Sequence, residues 1–298
     1  MSRYRFIAVE KAAARAITLA CAVLQVSRSA YYQWRERVPS GRERQDAALS
    51  VRIASIHQES RGTYGVPRVH RQLQRDGMLC SKRRVARLMA LRGLAGRFKP
   101  RWKQTTLADP AAQVQAKDRV QRAFTPAGAL NRVWVGDITY LRTWEGWSYL
   151  ATVIDLASRR VVGFAVADHM RTSLIAEALH MATAGRHPAP GLVFHSDRGS
   201  QYTSDAFVQQ LEALGMVQSL SRPRQCWDNA VAESFFATLK TELVHRQSWP
   251  TRAAIRQAVF EFIEVFYNRR RLHSALGYRS PAEYERVTLR SGTPVMAA

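Results

Sequence analysis

Val133-Trp134-Val135-Gly136-Asp137-Ile138-Thr139-Tyr140-Leu141 is a run of β-branched and aromatic residues with one carboxylate, Asp137, set deep inside it. Such residues fit a pleated, half-buried strand. A carboxylate in that setting is costly unless something pairs with it. A second apolar run, Leu192-Val193-Phe194-His195-Ser196-Asp197, ends on an acid, and Glu233 follows 36 positions later in a helical pattern. Three carboxylates brought together repel, and a divalent cation is the simplest remedy. The pattern points to metal-assisted phosphoryl-transfer chemistry.

Outward from Asp137, three strands are expected at Val133–Arg142, Trp147–Leu156 and Arg160–Val166, an antiparallel meander. A helix (Ser173–Ala184), a strand (Gly191–Ser196), a helix (Ser204–Leu214) and a short strand (Met216–Leu220) follow. After a polar loop at 221–230, helices are expected at Val231–His245 and Thr251–Asn268, ending in a basic tail at Arg269-Arg270-Arg271. The β-β-β-α-β-α-β order implies an α/β domain, a mixed five-stranded sheet flanked by helices. If the sheet is ribonuclease-H-like, its first strand is central and its fourth lies beside it. Asp137 and Asp197 then project together, and a helix packed across the sheet delivers Glu233. Such a set holds two metal ions about 4 Å apart, and all-oxygen ligation fits Mg²⁺ or Mn²⁺ rather than zinc. Asp155 competes for a place in the set, but Asp155-Leu156-Ala157-Ser158-Arg159 reads as a hairpin turn, where Asp bonds locally. Asp228, in the polar loop, is a second alternative. His195 reads as a packed, hydrogen-bonded strand residue, and Trp227 as a loop-packing residue or a stacking platform for an unpaired base.

The 298-residue chain is 46% hydrophobic and carries a formal charge of +22. It can therefore bury a core, and its charge calls for a polyanionic partner. Residues 1–130 hold 26 Lys and Arg against 8 Asp and Glu; the remainder holds 19 against 15. The electrostatic grip is N-terminal, and the carboxylate-bearing half is nearly balanced. Residues 15–37 read as two short helices, the second basic and aromatic with Arg28 and Arg35. This is a helix-turn-helix-like pattern that places its second helix in a DNA groove. Pro39-Ser40-Gly41 signals a linker. Helices at 46–60, Val66–Arg75 and Lys82–Leu91 make a second such unit, whose last helix presents Lys82, Arg83, Arg84 and Arg87. No apolar run approaches the ~18 residues of a spanning helix. Cys21, Cys80 and Cys226 form neither a disulfide framework nor a zinc pattern. A reducing cytoplasm is the expected setting.

Four ordered motifs resemble those of the DDE transposase and retroviral integrase superfamily, and in particular the second-frame product of bacterial insertion-sequence transposases of the IS-three family. They are Val135-Gly136-Asp137-Ile138-Thr139-Tyr140; His195-Ser196-Asp197-Arg198-Gly199-Ser200-Gln201-Tyr202; Asp228-Asn229-Ala230 with Glu233-Ser234-Phe235-Phe236; and Tyr267-Asn268-Arg269-Arg270-Arg271-Leu272-His273-Ser274-Ala275-Leu276-Gly277 with Ser280-Pro281-Ala282. Gly62-Thr63-Tyr64-Gly65 matches as well, so the resemblance spans nearly the whole chain. It implies that Asp137, Asp197 and Glu233 are the metal-binding catalytic acids. It also implies a DNA-contact role for the basic residue seven positions after the glutamate, here Lys240. That is about two helical turns on, so the two share a face. Retroviral integrases carry an N-terminal His/Cys zinc module, and this chain has no such cluster. The resembled family encodes a helix-turn-helix and leucine zipper in a separate first frame, so the first-frame product is an implied partner, alongside DNA and further copies of the chain.

The expected organisation is an N-terminal helical segment (1–40), a helix-turn-helix-like DNA-binding domain (41–102), a linker (103–130), an integrase catalytic domain (131–285) and a tail (286–298). The expected activity is metal-dependent cleavage of element ends and strand transfer. The alternatives are an inert DNA-binding regulator from a decayed element, or a ribonuclease-H-type nuclease.

Overall fold

Strand β1 (Val133–Thr143) lies at the centre of a five-stranded sheet ordered β3-β2-β1-β4-β5. The computed structural model describes residues 2–36, 39–97, 129–221 and 229–291. Trp227, Asp228 and nearly all of the expected linker lie outside them. Strand β2 (Gly146–Asp155) pairs antiparallel with β1 and with β3 (Val161–Ala167), the expected meander. Strands β4 (Val193–Ser196) and β5 (Val217–Leu220) add in parallel on the other side. The connections are the helices α7 (Thr172–Arg186) and α8 (Asp205–Ala213).

One face of the sheet is sealed by α7 and α8. Trp134, Val153, Leu179, Phe194, Phe207 and Leu211 form its buried core. Gly163 sets the spacing: a Cβ there would sit 2.1 Å from the Ala178 carbonyl oxygen, so α7 rests directly on β3. The other face receives α9 (Ala230–Glu242), which packs on β1, and α10 (Arg252–Glu261). After α10 the chain widens into a π-helical segment, Phe262–Tyr267. Asn268 then hydrogen-bonds the main chain of Val161 in both directions, at 3.0 and 2.9 Å, which satisfies backbone groups on edge strand β3.

Ahead of the sheet lie α1 (Arg3–Ala12), α2 (Ile17–Val23), α3 (Arg28–Glu36), α4 (Gly41–Glu59), α5 (Val66–Arg75) and α6 (Lys82–Leu91). The described chain divides into two units, Met1–Ser55 and Ile56–Ala298. That division falls inside α4. Pro39-Ser40-Gly41, read as a linker, is a helix start: Ser40 N–H donates to Glu43 and Glu43 N–H to Ser40 Oγ, a reciprocal cap. Before α4 the described chain holds three helices where two were expected. Helix α1 escaped because only Ile7 of it is buried, so it shows no apolar stripe. Ile7, Cys21 and Tyr31 form the small core, and Tyr4 stacks on Trp34 at 5.5 Å.

In the second unit the Arg61–Gly65 turn and α5 are bolted to the segment after α10. Tyr64 Oη accepts from Leu272 N–H at 2.7 Å and donates to the Arg270 carbonyl at 3.3 Å. Arg68 Nε donates to the Leu272 carbonyl, Arg75 donates to the Tyr278 carbonyl and pairs with Glu283, and Arg61 pairs with Glu261. The expected basic tail at 269–271 is accordingly corrected. Arg271 is buried in a bidentate pair with Glu242 at 2.6 and 2.8 Å, and the chain continues through a 3-10 turn at Ser274–Leu276 into α11 (Pro281–Ser291). Helix α11 runs past residue 285, so the expected boundary there falls within an ordered helix. Its Glu285 takes Arg160 and Arg186, both at 2.7 Å, and the Ser158 hydroxyl.

Candidate active site

Asp137 and Asp197 are brought level by strand register. The parallel pairing runs from Val133↔Val193 to Val135↔His195. Carried two residues further, it sets Asp137 beside Asp197, the first residue after β4. Each aspartate has one oxygen held by main chain: Asp137 Oδ1 accepts from Ile138 N–H at 2.8 Å, and Asp197 Oδ1 from Gly199 N–H at 3.0 Å. The other oxygen of each takes no hydrogen bond among the described residues and is available to a ligand.

Glu233 stands in the first turn of α9, where the positive end of the helix dipole favours a carboxylate. The helix start is tied to β1 through Asn229, whose Nδ2 donates to the Gly136 carbonyl at 3.4 Å, one residue from Asp137. Lys240, further along α9, sits over the Tyr140 ring at 5.0 Å.

The electrostatics show what the arrangement lacks. Asp137 is held well above the ordinary carboxylate range, first by burial and then by the charge of Asp197 and, more weakly, of Glu233. Asp197 and Glu233 are raised by burial, Asp197 less consequentially because its side chain opens to solvent. Lys240 is lowered by burial and raised by Asp137, so it belongs to the same electrostatic cluster. One amine does not offset three desolvated acids. Among the described residues no three acidic, imidazole or thiol groups stand close enough to form a ready-made metal cage. Asp137 and Asp197 form the tight pair, and Glu233 is the outlying member.

The two alternatives resolve differently. Asp155 is a buried cap: Oδ1 accepts from Ser158 N–H and hydroxyl, and Oδ2 from Asn131 N–H, all within 2.8 Å. Its capacity is spent locally, as the turn reading expected. Asp228 lies outside the described residues. His195 is fully buried between the Ser219 and Ser221 hydroxyls, the packed strand residue expected.

One residue that sequence reasoning missed supports the site. Tyr202 is buried beneath the two aspartates, and its phenol is held well above its usual value by burial and by both their charges. Its ring explains Gly136, where a Cβ would meet Phe194 at 2.6 Å and Tyr202 at 3.2 Å. The signal was the Asp-x₄-Tyr spacing of the second motif, which is silent about what the ring supports.

Of the expected DNA-contact residues, Arg28, Arg35, Lys82, Arg83 and Arg87 are exposed and Arg84 is half-buried. Arg35 lies over Tyr32 at 4.8 Å and pairs with Glu36. Lys82 begins α6, whose start is capped by Ser81 Oγ accepting from Arg84 N–H. No described helix is long and apolar enough to cross a membrane.

A mixed sheet with a central acidic strand, a parallel neighbour ending in a second acid, and a crossing helix with a third defines an integrase-type, ribonuclease-H-like catalytic core preceded by helix-turn-helix-like units. Family models agree in extent: "Integrase core domain" matches residues 128–226 and again 214–281, and "HTH-like domain" matches 43–102. The chain is 38% identical over 250 residues to the transposase for insertion sequence element IS904 of Lactococcus lactis, covering 84% of this chain and 98% of that protein. It is 35% identical over 289 residues to transposase InsF for insertion sequence IS3A of Escherichia coli, covering 96% and 99%. The chain belongs to this family of insertion-sequence transposases. Among solved structures it is similar to a chain of the simian T-cell lymphotropic virus intasome (17% identity, TM-score 0.45, 78% of this chain and 74% of that one). It is also similar to the catalytic core of BIV integrase (18% identity, TM-score 0.41, 54% and 98%).

Proposed function

We propose that this transposase is a DDE-type polynucleotidyl transferase whose catalytic acids are Asp137, Asp197 and Glu233, and that these residues hold two divalent cations, Mg²⁺ or Mn²⁺. The donor set fits: it is all oxygen, each aspartate keeps one oxygen open, and the raised carboxylates are the signature of a site short of positive charge. When bound, such ions supply activation of the attacking oxygen and charge neutralisation at the leaving one.

The chain's own residues do the rest. Asp137 and Asp197 are each oriented by a main-chain N–H, which leaves chiefly Glu233 to be ordered when metal and DNA arrive. Glu233, on the helix that packs over β1, completes the set. Lys240 places a cation beside Asp137, suited to a scissile or flanking phosphate. In the first reaction water attacks a phosphodiester at the element end; the phosphorus–oxygen bond to the leaving 3′-oxygen breaks and that oxygen takes up a proton. In the second, the freed 3′-hydroxyl loses its proton, attacks a phosphodiester of another strand, and displaces its 3′-oxygen. Arg28, Arg35, Lys82, Arg83, Arg84 and Arg87 hold the duplex through phosphate contacts, so binding falls steeply with salt. The partners are element-end and target DNA, further copies of the chain, and the first-frame product of the same element.

The observation that supports this reading is the parallel β1–β4 register, Val135↔His195, which continued by two residues brings Asp137 level with Asp197, on the strand to which Asn229 ties the start of α9. The test is Asp137→Asn on a labelled element-end duplex in Mg²⁺. Loss of cleavage and joining is expected; unimpaired cleavage sinks the assignment.

A further inference from the structure

The β1–β2 hairpin outruns the sheet it belongs to. Among the described residues β3 pairs with β2 only as far as Tyr149, and β4 with β1 only as far as Val135. Beyond those points β1 and β2 continue as a two-stranded ribbon to the turn at Trp144-Glu145. Their register sets Tyr140 opposite Tyr149 and Arg142 opposite Trp147. These four side chains therefore share one face, and Tyr140 and Trp147 are diagonal neighbours within aromatic reach. The opposite face is covered: Leu141, Thr143 and Ser148 are buried. Trp144 N–H donates to the Trp249 carbonyl at 3.0 Å, which pins the turn to the segment before α10.

The open face is aromatic and cationic. Tyr140 is 59% exposed, Trp147 43%, and Trp144 at the turn 75%. Large rings left in water on one hairpin mark an interaction surface. They stand in an ordered row. Lys240 Nζ lies 5.0 Å from the Tyr140 centroid, Tyr140 meets Trp147 edge-on at 5.4 Å, and the Arg142 guanidinium lies 5.6 Å from the Trp147 centroid. An apolar protein surface docking here would have to desolvate both cations. A DNA strand uses both halves of the pattern, its bases on the rings and its phosphates on the cations. The acid of the turn, Glu145, is engaged elsewhere, accepting from Arg252 N–H at 2.8 Å. Lys240 also feels Asp137, so the inner end of the row adjoins the carboxylate site. Tyr140 is three residues beyond Asp137 on β1, about 10 Å along the strand.

We propose that Tyr140 and Trp147, flanked by Lys240 and Arg142, form a stacking site for unpaired nucleotides of the DNA strand beside the scissile phosphate. Every base has a π-face, so the site is tolerant of sequence. A duplex end that enters the carboxylate site must part its terminal bases, and rings about 10 Å away replace the stacking they lose. The proposal deepens the proposed function and rests on the reading of the chain as a DNA-acting transposase.

The test uses the full chain without divalent metal, so that no strand is cut. Two fluorescein-labelled duplexes are compared by anisotropy across a sodium chloride series, one fully paired and one forked at an end by unpaired thymidines on both strands. The wild type is expected to prefer the fork. Tyr140→Ala and Trp147→Ala are each expected to weaken fork binding about fivefold or more, with little change for the paired duplex and none in the salt slope. Arg142→Gln, a phosphate contact, is expected to lower that slope by about one. Should the alanine variants fold poorly, 5-iododeoxyuridine placed in the fork of the wild-type complex and irradiated is expected to crosslink to Tyr140 or Trp147, read by peptide mapping. Crosslinks only to other parts of the chain would overturn the site. So would folded alanine variants that lose nothing, or lose equally on both duplexes. Fork binding kept while self-association is lost on sedimentation assigns the patch to a second copy of the chain and likewise overturns it. A wild type that binds both duplexes without preference sinks the stacking site alone; one that binds neither sinks the DNA-acting reading beneath it.

Discussion

Helix α9 carries two glutamates whose charges are settled in opposite ways. Glu242, at its end, is buried and fully paired with Arg271 by two short hydrogen bonds. Glu233, at its start, joins two aspartates, of which Asp137 is held up by burial and by the charges of Asp197 and Glu233, with Lys240 acting against them. The first arrangement closes on itself and holds the fold together. The second is left open, and an open charge site is where function is found. Architecture and chemistry are thus separated along one helix, and exchanging the two glutamates' roles by mutation is the way to break the comparison.

The largest effect is expected from Glu233→Gln, which removes a charge from the open site. Cleavage and joining of a labelled element end in Mg²⁺ should fall by roughly 10³-fold or more, with no loss of melting temperature. A destabilised protein would mean that Glu233 is structural after all. Glu242→Ala should show the converse, a loss of about 3–5 kcal/mol by chemical denaturation, because Arg271 is left buried and uncompensated. Tyr64→Phe sharpens the same side: it orphans the Leu272 N–H and should cost about 1–3 kcal/mol while duplex affinity at the N-terminal helices stays unchanged. Gly136→Ala tests the supporting ring beneath the site. The added methyl must displace Phe194 or Tyr202, and a stability loss of about 1–3 kcal/mol is expected, with reduced activity because Asp137 is adjacent.

Most of the sheet was legible because the apolar runs of β1 to β5 and the turns between them carry local signals, and register then follows from burial of one face. Helices α5 and α6 start and stop where the sequence expects, since Pro67, Gly77 and Ser81 punctuate them. Asp137 stood out as a candidate because an acid inside an apolar strand is an energetic anomaly that a single sequence can display. Helix α1 was not, since it buries one residue. Neither was the docking of α5 on the post-α10 segment. Arg61, Arg68, Arg75 and Arg271 look like solvated basic residues, and only the fold reveals that they bind carbonyls and carboxylates some 30 to 200 positions away. Part of the N-terminal charge excess is thereby spent inside the protein, which the charge count alone assigned to DNA.

Asp137 is held up first by burial and then by its acidic neighbours, a burden that a divalent cation is expected to relieve. Its folded pKa is raised above the unfolded value of about 3.9. The folded state therefore binds the proton more tightly. The group's contribution to stability is fully present below the unfolded value and is lost as pH rises through the folded one. The most direct measurement is the melting temperature against pH, with and without MgCl₂, for the wild type and Asp137→Asn. Stability of the metal-free wild type should decline as pH rises above about 4, MgCl₂ should restore it, and both effects should shrink in Asp137→Asn. An identical pH slope in the two proteins, with no response to MgCl₂ in either, would contradict the account.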